Sequence, residues 1–217
     1  YECTYPHCRK PGMIDLSKAV KKTDNEYFPP LDEPNIMSYL DKDWVAPESS
    51  YKDAMIKSMT DLGKLGAIFI GYNVKYGNAI GTLKDVPDDQ KLETPVAENL
   101  MAGLAIGMSF EGFIPVIYYE RHDFMLVAAD AIVNHIDKIE RISHGEFKCP
   151  VIIRAVTADA GPFYSGITHS QDFTNVFKEA VSFPVKDPIT GSDVIDAFRK
   201  ARQSGRPAMV IERKSRY

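Results

Sequence analysis

The stretch Leu92–Glu120, LETPVAENLMAGLAIGMSFEGFIPVIYYE, sets two buried elements end to end. From Val96 to Met108 almost every residue is apolar or Gly, over a length that suits a helix rather than a strand. IPVIYYE (114–120) is a short run rich in β-branched and aromatic residues, placed after Gly112, and predicts a buried strand. A helix buried nearly all round that feeds such a strand is a repeating unit of α/β architecture. One residue is discordant. Glu98 sits in the first turn of that helix, and a bare carboxylate in a buried place is costly unless something pairs with it.

The same alternation extends in both directions. SSYKDAMIKSMTDLGKLG (49–66) opens on serines suited to helix capping, carries apolar residues at Ala54, Met55, Met59 and Leu62, and ends on glycine. AIFIG (67–71) is a short strand. DFMLVAADAIVNHIDKIERIS (123–143) has apolar residues at 124, 127, 128, 131, 132, 136 and 139 and predicts one long helix. PVIIRAV (150–156) is a strand, about 173–180 a helix, VSFPVKDP a strand, SDVIDAFRKARQS (192–204) a capped helix ended by Gly205, and PAMVIER (207–213) the last strand. Five apolar strands alternating with helices predict an α/β fold, with a mainly parallel sheet and helices on both faces. Residues 1–49 hold six of the 14 prolines and no sustained periodicity, so an extended N-terminal arm is expected there, with the α/β domain over 50–217.

Composition narrows the class. With 44% hydrophobic and 26% charged residues, the 217-residue chain can build one sizeable core. A net charge of −4 without a basic run argues against nucleic acid or an anionic membrane as partner. No apolar run reaches the ~18 residues of a bilayer span, and the N-terminus lacks the apolar core of a signal peptide. Three cysteines fit a reducing, cytoplasmic compartment better than a disulfide framework. Cys3, His7 and Cys8 lie close together, but no second ligand pair follows, so no metal is expected on this chain.

Ligands of open parallel sheets bind outside the carboxyl ends of the strands. Three loops qualify: 72–95, which delivers Glu98; 120–124, with Glu120, Arg121, His122, Asp123 and Phe124; and 157–172, with His169, Ser170 and Gln171. An acid, an aromatic and a histidine on adjacent strand exits could form a site for a polar ring. Arg121 could bind a carboxylate or phosphate, or pair with Glu120. His122 is either a substrate contact or a surface residue just outside the pocket. Nucleotide-binding glycine loops (G-x-G-x-x-G, G-x-x-x-x-G-K-[ST]) and the G-x-S-x-G elbow of serine hydrolases are absent.

Together these pieces resemble a known family. From about Ser50 to Tyr217 the chain resembles the pyrimidine-binding module of thiamine-diphosphate enzymes, most of all the beta subunit of 2-oxoacid dehydrogenase first components, with transketolases more distant. ETPVAENLMAGLAIGMSFEGFIPVI matches the family's Thr-Pro-apolar-x-Glu, small-residue helix and Gly-x-x-Pro-Val; DFMLVAADAIVNHIDKI, PVIIRA and HSQ match its later segments. The resemblance implies roles. Glu98 would bond N1′ of the cofactor's aminopyrimidine, and so favour the tautomer whose N4′ accepts the proton leaving thiazolium C2. Phe124 would stack on the pyrimidine ring. His169 would donate or accept a proton, oriented by Ser170 and Gln171. The family's Gly-Asp-Gly…Asn motif for diphosphate and Mg2+ is missing, which implies an alpha-like partner chain holding that half of the cofactor, in a heterotetramer or a homodimer-based assembly. The C-terminal transketolase-type domain is also missing from the 217 residues. The implied activity is that of a two-component enzyme, a 2-oxoacid dehydrogenase, decarboxylase or transketolase-like protein. It would decarboxylate or cleave a 2-oxo acid or ketose-like donor and transfer the resulting carbanion equivalent. The alternative is a non-catalytic paralogue with an interaction or regulatory role. Tyr72 and Asn73 stand where dehydrogenase relatives usually carry acidic residues, and His122 where an apolar or aromatic residue is usual.

Overall fold

A computed structural model describes residues 50–159 and 166–217. The expected N-terminal arm and the Cys3/His7/Cys8 group lie outside the described residues. The described residues form a six-stranded sheet in the order β2-β1-β3-β4-β6-β5, with every neighbouring pair parallel. The strands are β1 (Ala67–Gly71), β2 (Lys91–Glu93), β3 (Ile114–Tyr119), β4 (Ile152–Thr157), β5 (Val185–Lys186) and β6 (Ala208–Arg213). The expected α/β class therefore holds, with one more strand than the five expected. β2 is three residues long, too short to leave an apolar run of its own.

The helices α1 (Tyr51–Lys64) and α6 (Gly191–Ser204) cover one face of the sheet. α2 (Glu98–Phe110), α5 (Thr174–Ala180) and the segment 122–142 cover the other. Strand residues alternate between the two cores: Val116 and Tyr118 pack with α1 and α6, Ile117 and Tyr119 with α2. That is the period-2 geometry of a strand buried on both faces. The helix ends follow their sequence signals. Ser50 Oγ accepts from the Asp53 amide at the start of α1. Thr190 and Asp193 form a reciprocal capping box on α6, and Gly205 ends that helix in the left-handed conformation at φ +59°.

Two elements differ from expectation. The segment read as one long helix is composite: α3 (His122–Met125), a 3-10 turn (Leu126–Ala128), a π turn (Ala131–Ile136) and α4 (Ile139–Ile142). The apolar spacing fits each local winding, which periodicity alone does not separate. The second difference is α2, expected to be buried nearly all round. It buries one stripe only, Glu98, Met101, Ala102, Ala105 and Ser109, and leaves Val96 (61%) before it and Leu100 (53%) within it exposed. Among the described residues no helix is long and apolar enough to cross a membrane.

The carboxyl ends of the central strands are tied by a buried charge cluster. Arg154 on β4 donates through Nε to Glu212 on β6 at 2.5 Å, and through Nη2 to Thr82 Oγ1 at 2.7 Å. Its guanidinium lies 4.8 Å over the ring of Tyr118 on β3. Lys214 and Tyr217 also bond to Glu212. Arg154 and its attraction hold the Glu212 carboxyl down at about 2, against the burial that would raise it. β1 ends beside this cluster at Gly71, where a Cβ would lie 2.7 Å from the carbonyl oxygen of Tyr118. Gly71→Ala is therefore expected to destabilise the fold by about 1–3 kcal/mol through forced displacement of β3. A urea midpoint at pH 7 checks this, and an unchanged midpoint contradicts it.

Candidate active site

Glu98, Phe124 and His169, singled out on three separate loops, line one cavity of about 300 Å³ at the carboxyl ends of β1 and β3. Tyr72, Val96, Met101, Tyr118, Glu120 and Arg121 complete its lining. Glu98 reaches it because the Thr94–Pro95 segment carries the chain from β2 onto α2, with the Thr94 amide bonded to the Gly71 carbonyl at 3.0 Å. The Tyr119 hydroxyl then donates to the backbone carbonyl of Glu98 at 3.3 Å, pinning the first turn of α2 to β3. Glu98 is 7% exposed. Among the described residues no side chain hydrogen-bonds or pairs with its carboxylate. A carboxylate so enclosed is stabilised by any donor that enters the cavity.

The aromatic and the histidine also line the cavity. The rings of Phe124 and His169 meet edge to face, 5.3 Å apart at 86°. His169 Nδ1 lies 2.9 Å from Thr168 Oγ1, and the His169 amide donates to the Gly166 carbonyl. Gln171 does not line the cavity. It donates from its side chain and backbone to Asp123, at 2.7 and 3.3 Å, and so ties the histidine loop to the start of α3.

His122 departs from both sequence readings, since it is neither on the cavity nor at the surface. It is completely buried, and Nδ1 accepts the Phe173 amide at 3.1 Å. Burial pushes its pKa down from 6.5 to about 4, outweighing the nearby Asp172 carboxylate. The neutral imidazole thus anchors the far end of the histidine loop. A polar residue flanked by Arg121 and Asp123 in a loop gave no sign of this burial. Arg121 does line the cavity, and it does not pair with the Glu120 side chain. Its Nη1 donates to the Glu120 backbone carbonyl at 2.8 Å, while Nε is buried without a partner.

Two residues, one lining the cavity and one behind it, escaped the sequence reading. Tyr118 looked like one more core residue of a buried strand. Glu93 looked like part of a polar loop, yet its carboxylate accepts the amides of Asn73 and Lys75 at 2.6 and 2.7 Å, fixing the segment next to Tyr72. The only available signal was that each borders a strand exit.

Likeness to known proteins points in the same direction. Sequence relatives and fold both fit a transketolase-like pyrimidine-binding module. The chain is 25% identical over 185 residues to the 2-oxoisovalerate dehydrogenase subunit beta of Bacillus subtilis, covering 84% of this chain and 54% of that protein. It is 26% identical over 176 residues to the pyruvate dehydrogenase E1 component subunit beta of Rickettsia felis, covering 80% and 53%. A 3-methyl-2-oxobutanoate dehydrogenase subunit beta of Mycobacterium tuberculosis is 30% identical over 133 residues, 59% of this chain and 36% of that one. The chain spans about half the length of the first two of these curated relatives. In fold it resembles a solved split-gene transketolase, described as an inactive beta4 tetramer, with a TM-score of 0.60 at 18% identity over 77% of this chain and 52% of that one. No family model matches.

The His122 geometry makes a pH prediction. An unfolded histidine takes up its proton near pH 6.5, and the folded one only near 4. The unfolded state therefore binds more protons across that window. The stability that His122 contributes is complete above about pH 6.5 and falls by up to about 3 kcal/mol as pH drops toward 4. His122→Asn keeps an acceptor but cannot titrate. The gap between wild-type and variant urea midpoints should change by that order between pH 7 and 4.5, and a constant gap contradicts it.

Proposed function

We propose that this chain is the pyrimidine-binding subunit of a two-component thiamine-diphosphate enzyme, acting on a 2-oxo acid or ketose-like donor. The observation that carries this reading is Glu98: a buried carboxylate on a cavity wall with no side-chain partner among the described residues, where the ring of Phe124 and the imidazole of His169 share the cavity. These residues fit an aminopyrimidine. Glu98 would hold its ring nitrogen and Phe124 its face, within a cavity of about 300 Å³. When bound, thiamine diphosphate supplies a carbon nucleophile that adds to a ketone carbonyl. The chain's own part is then definite. Glu98 holds a proton at the pyrimidine nitrogen, the apolar wall of Val96 and Met101 limits water, and His169, exposed at the rim, moves a proton to or from the substrate.

A partner is part of the proposal. The motif that holds diphosphate and Mg2+ in such enzymes is absent from the 217 residues, so an alpha-like chain would carry that half. The exposed side of α2 supports this. Leu100 and Phe110 are exposed on the outer side of α2, away from the buried stripe that carries Glu98, with Val96 of the cavity lining just ahead of the helix, and at the exposed Gly103 and Gly107 a Cβ would meet nothing within 4 Å. A surface of that kind next to a binding cavity is suited to a neighbouring chain. A heterotetramer or a homodimer-based assembly would cover it.

In a working mixture of chain, partner, thiamine diphosphate and magnesium, Glu98→Gln is expected to lower kcat by roughly 10²–10⁴-fold, the range for loss of a positioned proton-transfer group. Leu100→Asp should weaken assembly, seen as a smaller particle in sedimentation. Full turnover by the Glu98→Gln mixture would remove the catalytic reading.

A further inference from the structure

The histidine loop is tied down just beyond His169 rather than at it. Among the described residues the hydrogen bonds of His169 are local: Nδ1 lies 2.9 Å from Thr168 Oγ1, and the amide donates to the Gly166 carbonyl at 3.1 Å. Its side chain is exposed at the cavity rim, at right angles to the ring of Phe124. Local bonds of that kind do not fix where the loop lies on the sheet. The next three residues do, each through a different partner. Gln171 bonds to Asp123, and the Phe173 amide to His122, both on α3, the element that also carries Phe124. Between them, Asp172 meets Arg213 at the end of β6, with Nη2 2.8 Å from Oδ2. That ion pair is the tie between this part of the loop and the sheet.

An isolated ion pair with a carboxylate 40% exposed contributes little. This one differs because the cation is already fixed. Arg213 Nε donates to both carboxylate oxygens of Asp187 at 3.0 Å, and Nη2 to one of them at 2.7 Å. A forked pairing sets the plane of the guanidinium, so little further ordering is needed when the same Nη2 reaches Asp172. Asp172 divides its two oxygens. Oδ1 accepts the Thr174 amide at 2.9 Å, opening α5, and Oδ2 faces Arg213. Burial would raise its pKa, but the Thr174 bond and then Arg213 hold it at about 2, so the carboxylate stays charged at neutral pH. Asp159, just after β4, lies 3.6 Å from Arg213 Nη1. Without Arg213, the carboxylates of Asp159, Asp172 and Asp187 would lose their shared cation, and their repulsion would push the loop away from β6.

We propose that Arg213 and Asp172 are a positioning pair that holds His169 against Phe124 at the rim of the Glu98 cavity. Neither residue lines the cavity, and both act through the backbone of the loop. The proposal rests on the proton-transfer role put forward above for His169 and adds the residues that set its place.

The contact itself is the readout. In the full chain with isotope-labelled histidine and phenylalanine, a nuclear Overhauser peak between the ring protons of His169 and Phe124 reports their packing without cofactor, substrate or partner. His169→Gln assigns it. Wild type is expected to show the peak, and its absence overturns the proposal. Arg213→Met and Asp172→Asn should each lose it. In Asp172→Asn, the amide that keeps the Thr174 bond through its oxygen turns its NH2 toward Arg213, donor against donor. Arg216→Met is the control: Arg216 donates to the same Asp187 at 2.7 Å but, among the described residues, is not paired with Asp172. It should keep the peak. A merely stabilising role would lower the urea midpoint of all three variants and leave the peak in place. A peak retained in Arg213→Met or in Asp172→Asn overturns the pair. Loss in Arg216→Met as well assigns the contact to the charged end of the sheet as a whole, and also overturns it. In a working mixture with partner and cofactor, the two loop variants should lower turnover by roughly 10–100-fold, as displacement of a positioned group does. A lost peak with full turnover leaves the positioning pair standing and removes His169 from the functional reading, so the two failures are distinct.

Discussion

Arg154 is the constraint on which the rest of the site depends. Its guanidinium is enclosed completely, and a cation in that position is tolerable only because Glu212 meets it from the adjacent strand. Arg154 reaches Thr82 in the loop before β2 and Tyr118 on β3, so one side chain couples β3, β4, β6 and the loop that leads toward Glu98. An apolar replacement of similar size could fill the space, but would not tie four segments at defined angles. Removal of Glu212 alone would leave the cation unpaired, a loss of about 3–5 kcal/mol by analogy with other buried pairs. The cluster lies at the end of the sheet where the cavity opens, so the stability of the fold and the shape of the site are set by the same contacts.

The cavity is built around groups with unmet needs. Among the described residues the Glu98 carboxylate has no side-chain partner, and the Tyr118 hydroxyl and Arg121 Nε have no acceptor. Among the same residues His122 Nε2 and Arg154 Nη1, away from the cavity, are likewise buried without a partner. Around them the loops are firmly held. Gln171 is bound to Asp123, Phe173 to His122, and Asn73 and Lys75 to Glu93. Arg213 adds a further tie, since it contacts Asp159, Asp172 and Asp187 and draws the ends of β4 and β6 and the histidine loop together. These ties hold the loops around the cavity in place.

Much of the fold was legible because its elements obey local rules. AIFIG has the bounds expected from its apolar run, and the capping box at Thr190 and Asp193 marks the start of α6 within one residue. What escaped notice was either short or dependent on tertiary context. β2 is three residues that become a strand only by pairing with β1. The winding of segment 122–142 changes from α to 3-10 to π within one apolar pattern. Glu98 stood out as a carboxylate in an apolar helix, while Phe124 and His169 were marked only as members of strand-exit loops and were picked out by the family resemblance; the three meet at one cavity. His122 and Tyr118 gave no sign of their roles. A histidine among charges becomes a buried anchor, and a tyrosine within a core strand becomes an unpartnered donor, only once distant strands and loops close around them.

The central claim is that this chain offers only the pyrimidine half of a cofactor site. The most direct measurement is a calorimetric titration of thiamine diphosphate with magnesium into the chain alone, and into the chain mixed with the proposed alpha-like chain. No binding in the micromolar range by the chain alone, with micromolar binding by the mixture, is the predicted result. Micromolar binding of the intact cofactor by the isolated chain would contradict it.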